Sequence, residues 1–352
     1  MGKVTLQDIA EVVGVSKNTV SKALRGLDGV SDEVRKKILS TATKMGYQIK
    51  NSHKMLNVAV LCREDFLVES TFWANVLLGI QNAARSNNIA LSVTAVDIEG
   101  EENLDIPSTI NKDLTNGIVI VGTLNNKFIK KIKDLEIPLV IVDHYSEEIN
   151  SDYINSANEK GIYDAINYLI QNGHKKIGFI GNNEWSYSFK KRYQAYIMYM
   201  EEFKIQIDDK FVWLDINLKG PNFLEDIDYF KKKINVNDTD FPTAWICAND
   251  KIALAFMRSL SELNIKVPED VSVIGFDNIE MGSISYPPLT TINVPKQQLG
   301  VKAIQQLVYR INNPEKIYED IRLNTNLIVR GSVKKLRKKF WLFVNSWGGY
   351  FF

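Results

Sequence analysis

The sequence predicts an all-α helix-turn-helix headpiece followed by an α/β domain built as two parallel-sheet lobes, and three observations carry that expectation. The first fifty residues place apolar side chains at helical spacing, punctuated by Gly14, Gly26 and Gly29. From residue 57 onward, short apolar runs alternate with amphipathic stretches, the pattern of parallel strands covered on both faces by helices. A chain of 352 residues, 45% hydrophobic and 24% charged, is globular in composition and long enough for more than one domain.

Charge is unevenly spread. Residues 1–50 hold nine bases against five acids (+4), and the stretch from Lys334 holds five bases and no acid (+5), so the middle carries −8 of an overall +1. A basic head on an acidic body suits a nucleic-acid-binding module joined to a sensor domain, with chance clustering as the plainer alternative. Cys62 and Cys247 stand alone, as thiols do in a reducing cytoplasm. The N-terminus has no apolar segment of the signal-peptide kind, and no apolar run reaches the roughly 18 residues of a membrane span. A cytoplasmic chain without a membrane partner is expected.

In the headpiece (1–50), Thr5-Leu6-Gln7-Asp8 has the form of a capping box, and Leu6, Ile9, Ala10 and Val13 follow as an apolar stripe. Gly14 can end that helix in a left-handed conformation. Ser16 caps a second helix, Lys17 to about Arg25, with Val20, Ala23 and Leu24 inward and Lys17, Asn18, Ser21, Lys22 and Arg25 outward. Ser31, then Asp32 and Glu33, open a third helix, whose buried side is expected from Val34, Ile38, Leu39 and Ala42. Helix, tight turn and helix with a polar outer face suit the major groove of double-stranded DNA, where long donors meet base edges. Lys17 can donate to guanine and Asn18 can pair with adenine, while Ser16, Thr19 and Ser21 suit phosphate oxygens. Thr5, Leu6 and Ser31, at two helix starts, complete the candidate DNA-facing set. A bare three-helix bundle with a solvated face is the alternative.

In the long domain (57–333), strands are expected at 57–61, 89–96, 117–122, 137–143, 176–181, 244–249 and 271–277. Helices are expected at 73–85, 159–171, 189–203 and 251–263. So many strands point to two sheets, with ligands beyond the strands' carboxyl ends. Lobe 1 is expected at about 57–156 and 288–320, lobe 2 at about 157–287 and 321–333. Asp143, Asn249-Asp250 and Asp277-Asn278 close three of the runs, and such groups suit the hydroxyls of a sugar-like molecule. Helix capping competes with that reading, most of all for Asp250. His144, beside Asp143, reads as polar lining. No GxGxxG, Walker, HExxH or GxSxG pattern occurs, so neither a cofactor, a metal nor an enzyme activity is expected. Residues 334–352, basic then aromatic, read as a disordered tail, with contact to a membrane surface or to DNA as the alternative.

Two sets of motifs carry a resemblance. VTLQDIAEVVGVSKNTVSKALRG with VSDEVRKKI and MGY resembles the headpiece of the LacI/GalR-type family of transcription regulators. STFWANVLLGIQNAA, NGHKKIGFIG, SFKKRYQAY, PTAWICAND, VPEDVSVIGFDN, PPLTTINVP and LIVRGS resemble that family's effector domain, which shares the periplasmic sugar-binding fold. The resemblance implies Lys17, Asn18 and Lys22 as base-reading positions, Leu6 as a headpiece seat and Arg192 as the basic anchor for the effector. It also implies Asp277 as a hydroxyl ligand, Asn249 as cleft lining, and Phe72 with Trp73 as an apolar wall; Asp143 joins this set from its strand-end position. It implies a homodimer in which a bound effector, by favouring one lobe arrangement, alters the separation of two headpieces. Where the family has Pro-Asn and a hinge helix whose leucine enters the minor groove, this chain has Ile49 and Lys50 and a short linker (51–56), so that helix is not expected. Ala157-Asn158 replaces a family Asp-Asn pair, and Ala195 a glycine. A ligand-controlled regulator is the leading expectation; a two-lobed binding protein without a regulatory role is the alternative.

Overall fold

The computed structural model describes residues 4–24, 29–47, 55–64, 70–216 and 223–336. They divide into two compact units, Met1–Leu56 and Asn57–Phe352.

The first unit is three helices, α1 (Leu6–Val13), α2 (Lys17–Leu24) and α3 (Asp32–Lys44). The capping box forms: Asp8 N–H donates to Thr5 Oγ1 at 3.3 Å, and Thr5 N–H donates to Asp8 Oδ2 at 2.7 Å. Gly14 turns left-handed at φ +80° and donates to Ala10 O at 2.9 Å, closing α1 without a Cβ penalty. Ile9, Ala10, Val13, Val20, Ala23, Ile38 and Ala42 make the core. Leu39 does not join it and is 37% exposed. It lies about 100° around α3 from Ile38, off the stripe that Ile38 and Ala42 share. The linker expectation, with Ile49, Lys50 and the hinge helix, falls on residues 48–54, outside the described residues. Leu56 begins the first strand, and Met55, just before it, is exposed.

The second unit holds two six-stranded sheets. The first contains β1 (Leu56–Arg63), β2 (Ile89–Val96), β3 (Gly117–Val121), β4 (Leu139–Val142), β5 (Asp152–Ser156) and β11 (Asp320–Leu323), in the order β11-β5-β4-β3-β1-β2. The second contains β6 (Ile177–Ile180), β7 (Val212–Trp213), β8 (Ala244–Cys247), β9 (Ser272–Asp277), β10 (Thr290–Asn293) and β12 (Asn326–Ile328), in the order β12-β10-β9-β8-β6-β7. Ladders from β1 through β3, β4 and β5 to β11, and from β7 through β6, β8 and β9 to β10, are parallel; β12 is an antiparallel edge.

Helices α4 (Ser70–Ser86), α5 (Ile98–Glu102), α6 (Asn126–Lys133), α7 (Asn158–Gln171), α8 (Tyr187–Glu202), α9 (Phe223–Lys233), α10 (Asp250–Glu262), α11 (Glu280–Ile284) and α12 (Lys296–Asn312) accompany the sheets. Helices α4 and α12 cross at Gly79 and Gly300, where an added Cβ would stand 2.0 Å from Gln297 O and 2.1 Å from Val76 O. Lobe 1 centres on an aliphatic core that includes Leu61, Ile120 and Ile141, whereas lobe 2 is aromatic, with Trp213 and Trp245 at 4.4 Å between ring centroids and Phe256 at 5.1 Å from Trp245.

The lobe limits differ from those read in the sequence. Thr290–Asn293 pairs with β9 and so belongs to lobe 2, not to a 288–320 return into lobe 1; Asp320–Leu323 pairs with β5 and so completes lobe 1, not lobe 2. The chain thus crosses between the sheets after β5, after β10 and between β11 and β12.

Candidate functional site

On the first unit, α2 presents its polar face outward. Ser16 caps the helix, with Thr19 N–H donating to Ser16 Oγ at 3.0 Å and the two hydroxyls 2.8 Å apart. Lys17 and Asn18 are exposed, and Ser21 and Lys22 half-buried, one turn further along the same side. Thr5 and Ser31 cap α1 and α3, and Leu6 packs partly on the core. Arg25 lies outside the described residues.

In the second unit, all six residues assigned to the effector set line one cleft between the lobes. Phe72, Trp73 and Asp143 come from lobe 1; Arg192, Asn249 and Asp277 come from lobe 2. The space between them, mouth included, is about 800 Å³. The strand order reverses at β1/β3 and at β6/β8, so the chain diverges there and leaves a crevice at the carboxyl ends. Phe72 and Trp73 meet edge to face at 4.8 Å, and Trp185 and Phe189 at 5.1 Å.

Arg192 is the electrostatic centre, 2% exposed. Its Nε donates to Asn158 Oδ1 at 2.8 Å, Nη1 donates to Ala248 O at 2.6 Å, and Nη2 lies 3.2 Å from Asp277 Oδ1. The guanidinium carbon sits 3.7 Å above the Phe276 ring. Asn158, the member of the pair that is kept, holds the arginine in place, whereas Ala157, the departure, leaves the following helix without a side-chain cap. Asp143 and Asp277 close their strands with left-handed backbones, at φ +55° and +109°. Burial pushes Asp143 up to about 6, offset by a hydrogen bond from Ser188 and by Arg192, and burial also raises Asp277. Bonds across the cleft include Ser188 Oγ–H donating to Asp143 Oδ1 at 2.6 Å, and Lys296 Nζ donating to Asp277 O and, at 3.2 Å, Asn278 O.

Two expectations need correction. Asn249, not Asp250, is the α10 cap, accepting from Ile252 N–H at 2.9 Å. Asp250 is fully buried, accepting from Ile279 N–H at 2.8 Å and Thr291 Oγ–H at 2.5 Å; burial and nearby Asp277 raise it to about 7. His144 does not line the cleft surface; it is buried, bonded to Asn126. Sequence reasoning missed Arg63, Thr123, Trp185, Ser186, Ser188, Phe189, Lys251 and Ile279 as lining. The position of Arg63 and Thr123, at or just past an apolar run, was the available signal.

Known proteins share both halves. Residues 5–49 match the profile of bacterial regulatory proteins of the lacI family, and residues 166–333 that of a periplasmic binding protein-like domain. The HTH-type transcriptional repressor PurR of Histophilus somni (strain 2336) is 30% identical over 343 residues, spanning 94% of this chain and 99% of that protein. The ribose operon repressor of Haemophilus influenzae is 28% identical over 340 residues, spanning 95% and 99%. A probable HTH-type transcriptional repressor ExuR of Bacillus subtilis is 29% identical over 342 residues, spanning 95% and 99%. Among solved structures, the lac repressor dimer bound to operator and the anti-inducer ONPF superimposes with a TM-score of 0.67 at 22% identity, over 95% of this chain and 100% of that one.

Proposed function

The chain belongs to the lacI family of bacterial transcription regulators, and from that premise we propose that it represses genes by gripping operator DNA with α2 and releasing or tightening that grip when a sugar-like molecule enters the interlobe cleft. The observation that carries the reading is the convergence of Asp143 from one lobe with Arg192 and Asp277 from the other, in a chain headed by a helix-turn-helix.

The chemistry follows from the geometry. Lys17 and Asn18 offer donors and a carboxamide to base edges, Lys22 extends that face, and Ser16, Thr19 and Ser21 suit phosphate. In the cleft, carboxylates accept from ligand hydroxyls while Phe72, Trp73 and Trp185 cover an apolar ring face. A ligand touching both lobes shifts their equilibrium only by its differential affinity for the two arrangements. Asp143–Ser188 and Lys296–Asp277 are among the bonds against which it competes or with which it cooperates.

The protein acts as a homodimer on a two-fold operator. Supporting this are exposed apolar side chains on each lobe: Leu78 and Val93 beside a groove on α4 and β2, and Met281, Ile284 and Tyr286 around α11, with Tyr286 99% exposed. Among the described residues no helix is long and apolar enough to cross a membrane. Mobility-shift titration on genomic fragments, with and without metabolite pools, tests the whole reading. Selective, metabolite-sensitive binding is expected; equal weak binding to every duplex contradicts it.

A further inference from the structure

The interlobe cleft holds more positive charge than its own carboxylates balance. Arg63, Arg192 and Lys251 line it together with Asp143 and Asp277, and Lys296 and Asp250 stand close behind Asp277: four cations to three carboxylates among the described residues. Arg192 and Asp277 form an ion pair at 3.2 Å. Lys296 donates to the Asp277 and Asn278 carbonyls and faces Asp250, which burial raises to about 7, so that Asp250 carries only part of its charge near neutral pH. Against Asp143, which already accepts from Ser188, that leaves both Arg63 and Lys251.

Neither cation stands where helix or strand stability would place it. Lys251 is the second residue of α10, at the positive end of that helix's dipole, where a cation is disfavoured. Arg63 ends β1 after five buried residues, half-buried at the crevice where β1 and β3 diverge. The backbone adds charge of the same sign. Helices α8 and α10 both begin at the cleft, with Ser186 and Ser188 lining it from the first and Asn249 and Lys251 from the second, and helix N-termini carry partial positive charge. Beside these groups are the Phe72, Trp73 and Trp185 rings and the Asp143 and Asp277 carboxylates. A molecule that satisfies the whole cleft has a ring face, hydroxyl groups and an oxyanion.

We propose that the effector is an anionic sugar, a sugar acid or sugar phosphate, whose oxyanion lies between Arg63 of lobe 1 and Lys251 of lobe 2 while its hydroxyls meet Asp143 and Asp277. This rests on the cleft being the effector site. Arg63 and Lys251 stand on opposite walls, so closing the lobes drives like charges together. An oxyanion between them turns that repulsion into attraction, and a neutral sugar does not. The oxyanion therefore supplies the difference in affinity between open and closed arrangements that any shift between them requires.

The test is calorimetric titration of the full chain at pH 7.5 and low ionic strength with a panel of matched sugars: ribose against ribose 5-phosphate, glucose against glucose 6-phosphate and glucuronate, and galactose against galacturonate. The anionic member is expected to bind at least tenfold tighter wherever a pair binds, and the uronate and phosphate arms tell which oxyanion fits. Added salt should weaken the anionic member and spare the neutral one. Arg63→Gln and Lys251→Gln should each bring the anionic sugar down toward the affinity of its neutral partner, with the melting temperature retained; Lys251→Arg, which keeps the charge, should retain the preference. A neutral partner that binds as well or better, silence of every anionic probe, or indifference to both glutamine substitutions overturns the proposal. Arg192→Met separates the two readings: neutral-sugar binding that it abolishes leaves the cleft assignment standing while the charge preference fails, whereas binding that survives it removes the cleft assignment itself.

Discussion

The two units solve opposite problems. The headpiece keeps its working groups in water: Lys17 and Asn18 are exposed, and a core of seven buried side chains needs only to hold α2 at the right angle. The interlobe cleft takes its working groups out of water: Arg192 is 2% exposed and Asp277 9%. A headpiece side chain can therefore be exchanged at little cost to the fold, while a cleft side chain is part of the scaffold that its charge serves.

That contrast is sharpest at Arg192. Arg192→Met leaves Asp277 and Asn158 buried without their partner, and breaking one side of such a pair costs roughly 3–5 kcal/mol. Ligand binding should vanish in calorimetry while operator affinity, measured below the melting temperature, is retained. Unaltered ligand binding would place the working charge elsewhere.

Lys17→Ala and Asn18→Ala should behave in the reverse way. Each is expected to lose about 1–3 kcal/mol of base discrimination with no change in melting temperature. Competition shifts across single-base operator variants read this out. Weakening that is equal on all sequences would reduce both residues to phosphate contacts.

The pH response should also divide the units. Asp143 and Asp250 are raised to about 6 and about 7, so the folded cleft domain holds protons that the unfolded chain releases above its ordinary carboxylate range. Stability from these groups is therefore present at low pH and lost as pH climbs through about 6 to 7, with a slope of at most about 1.4 kcal/mol per pH unit per proton. No tryptophan lies in residues 1–56, so tryptophan fluorescence follows this unit alone. Its melting temperature should fall between pH 5 and pH 7.5, and less steeply in Asp250→Asn; a rise would contradict the assignment.

The smallest effect belongs to the headpiece. Thr5→Ala removes the reciprocal cap of α1 and should cost about 1 kcal/mol, seen as an earlier loss of helical circular dichroism with the tryptophan transition in place. Coincident shifts of both transitions would mean that the units do not unfold independently.

How much was legible in the sequence follows the same division. The headpiece could be read because capping and apolar spacing are local; only Leu39 failed, one step off the stripe. Apolar strands such as GIVIV and SVIGFD were equally plain, but DYINS and TTIN were not, because their polar residues are satisfied from far along the chain. Asp152 is held by Arg310 at 2.7 Å, and Thr291 by Asp250 at 2.5 Å. Missing β10 is what displaced the lobe boundary. Within the cleft, Arg192 and Asp277 came from resemblance and Asp143 from its strand end. Ser188 sent no local signal, since its role exists only once the end of β4 and α8 meet.

The most direct measurement is the anisotropy of a labelled operator fragment titrated with the full chain, with and without a saturating cleft ligand found by the sugar panel. The account predicts that the ligand moves operator affinity at least tenfold in the native chain and not at all in Arg192→Met. Identical titration curves with and without ligand in the native chain, on a fragment that it prefers over random duplex, would contradict it.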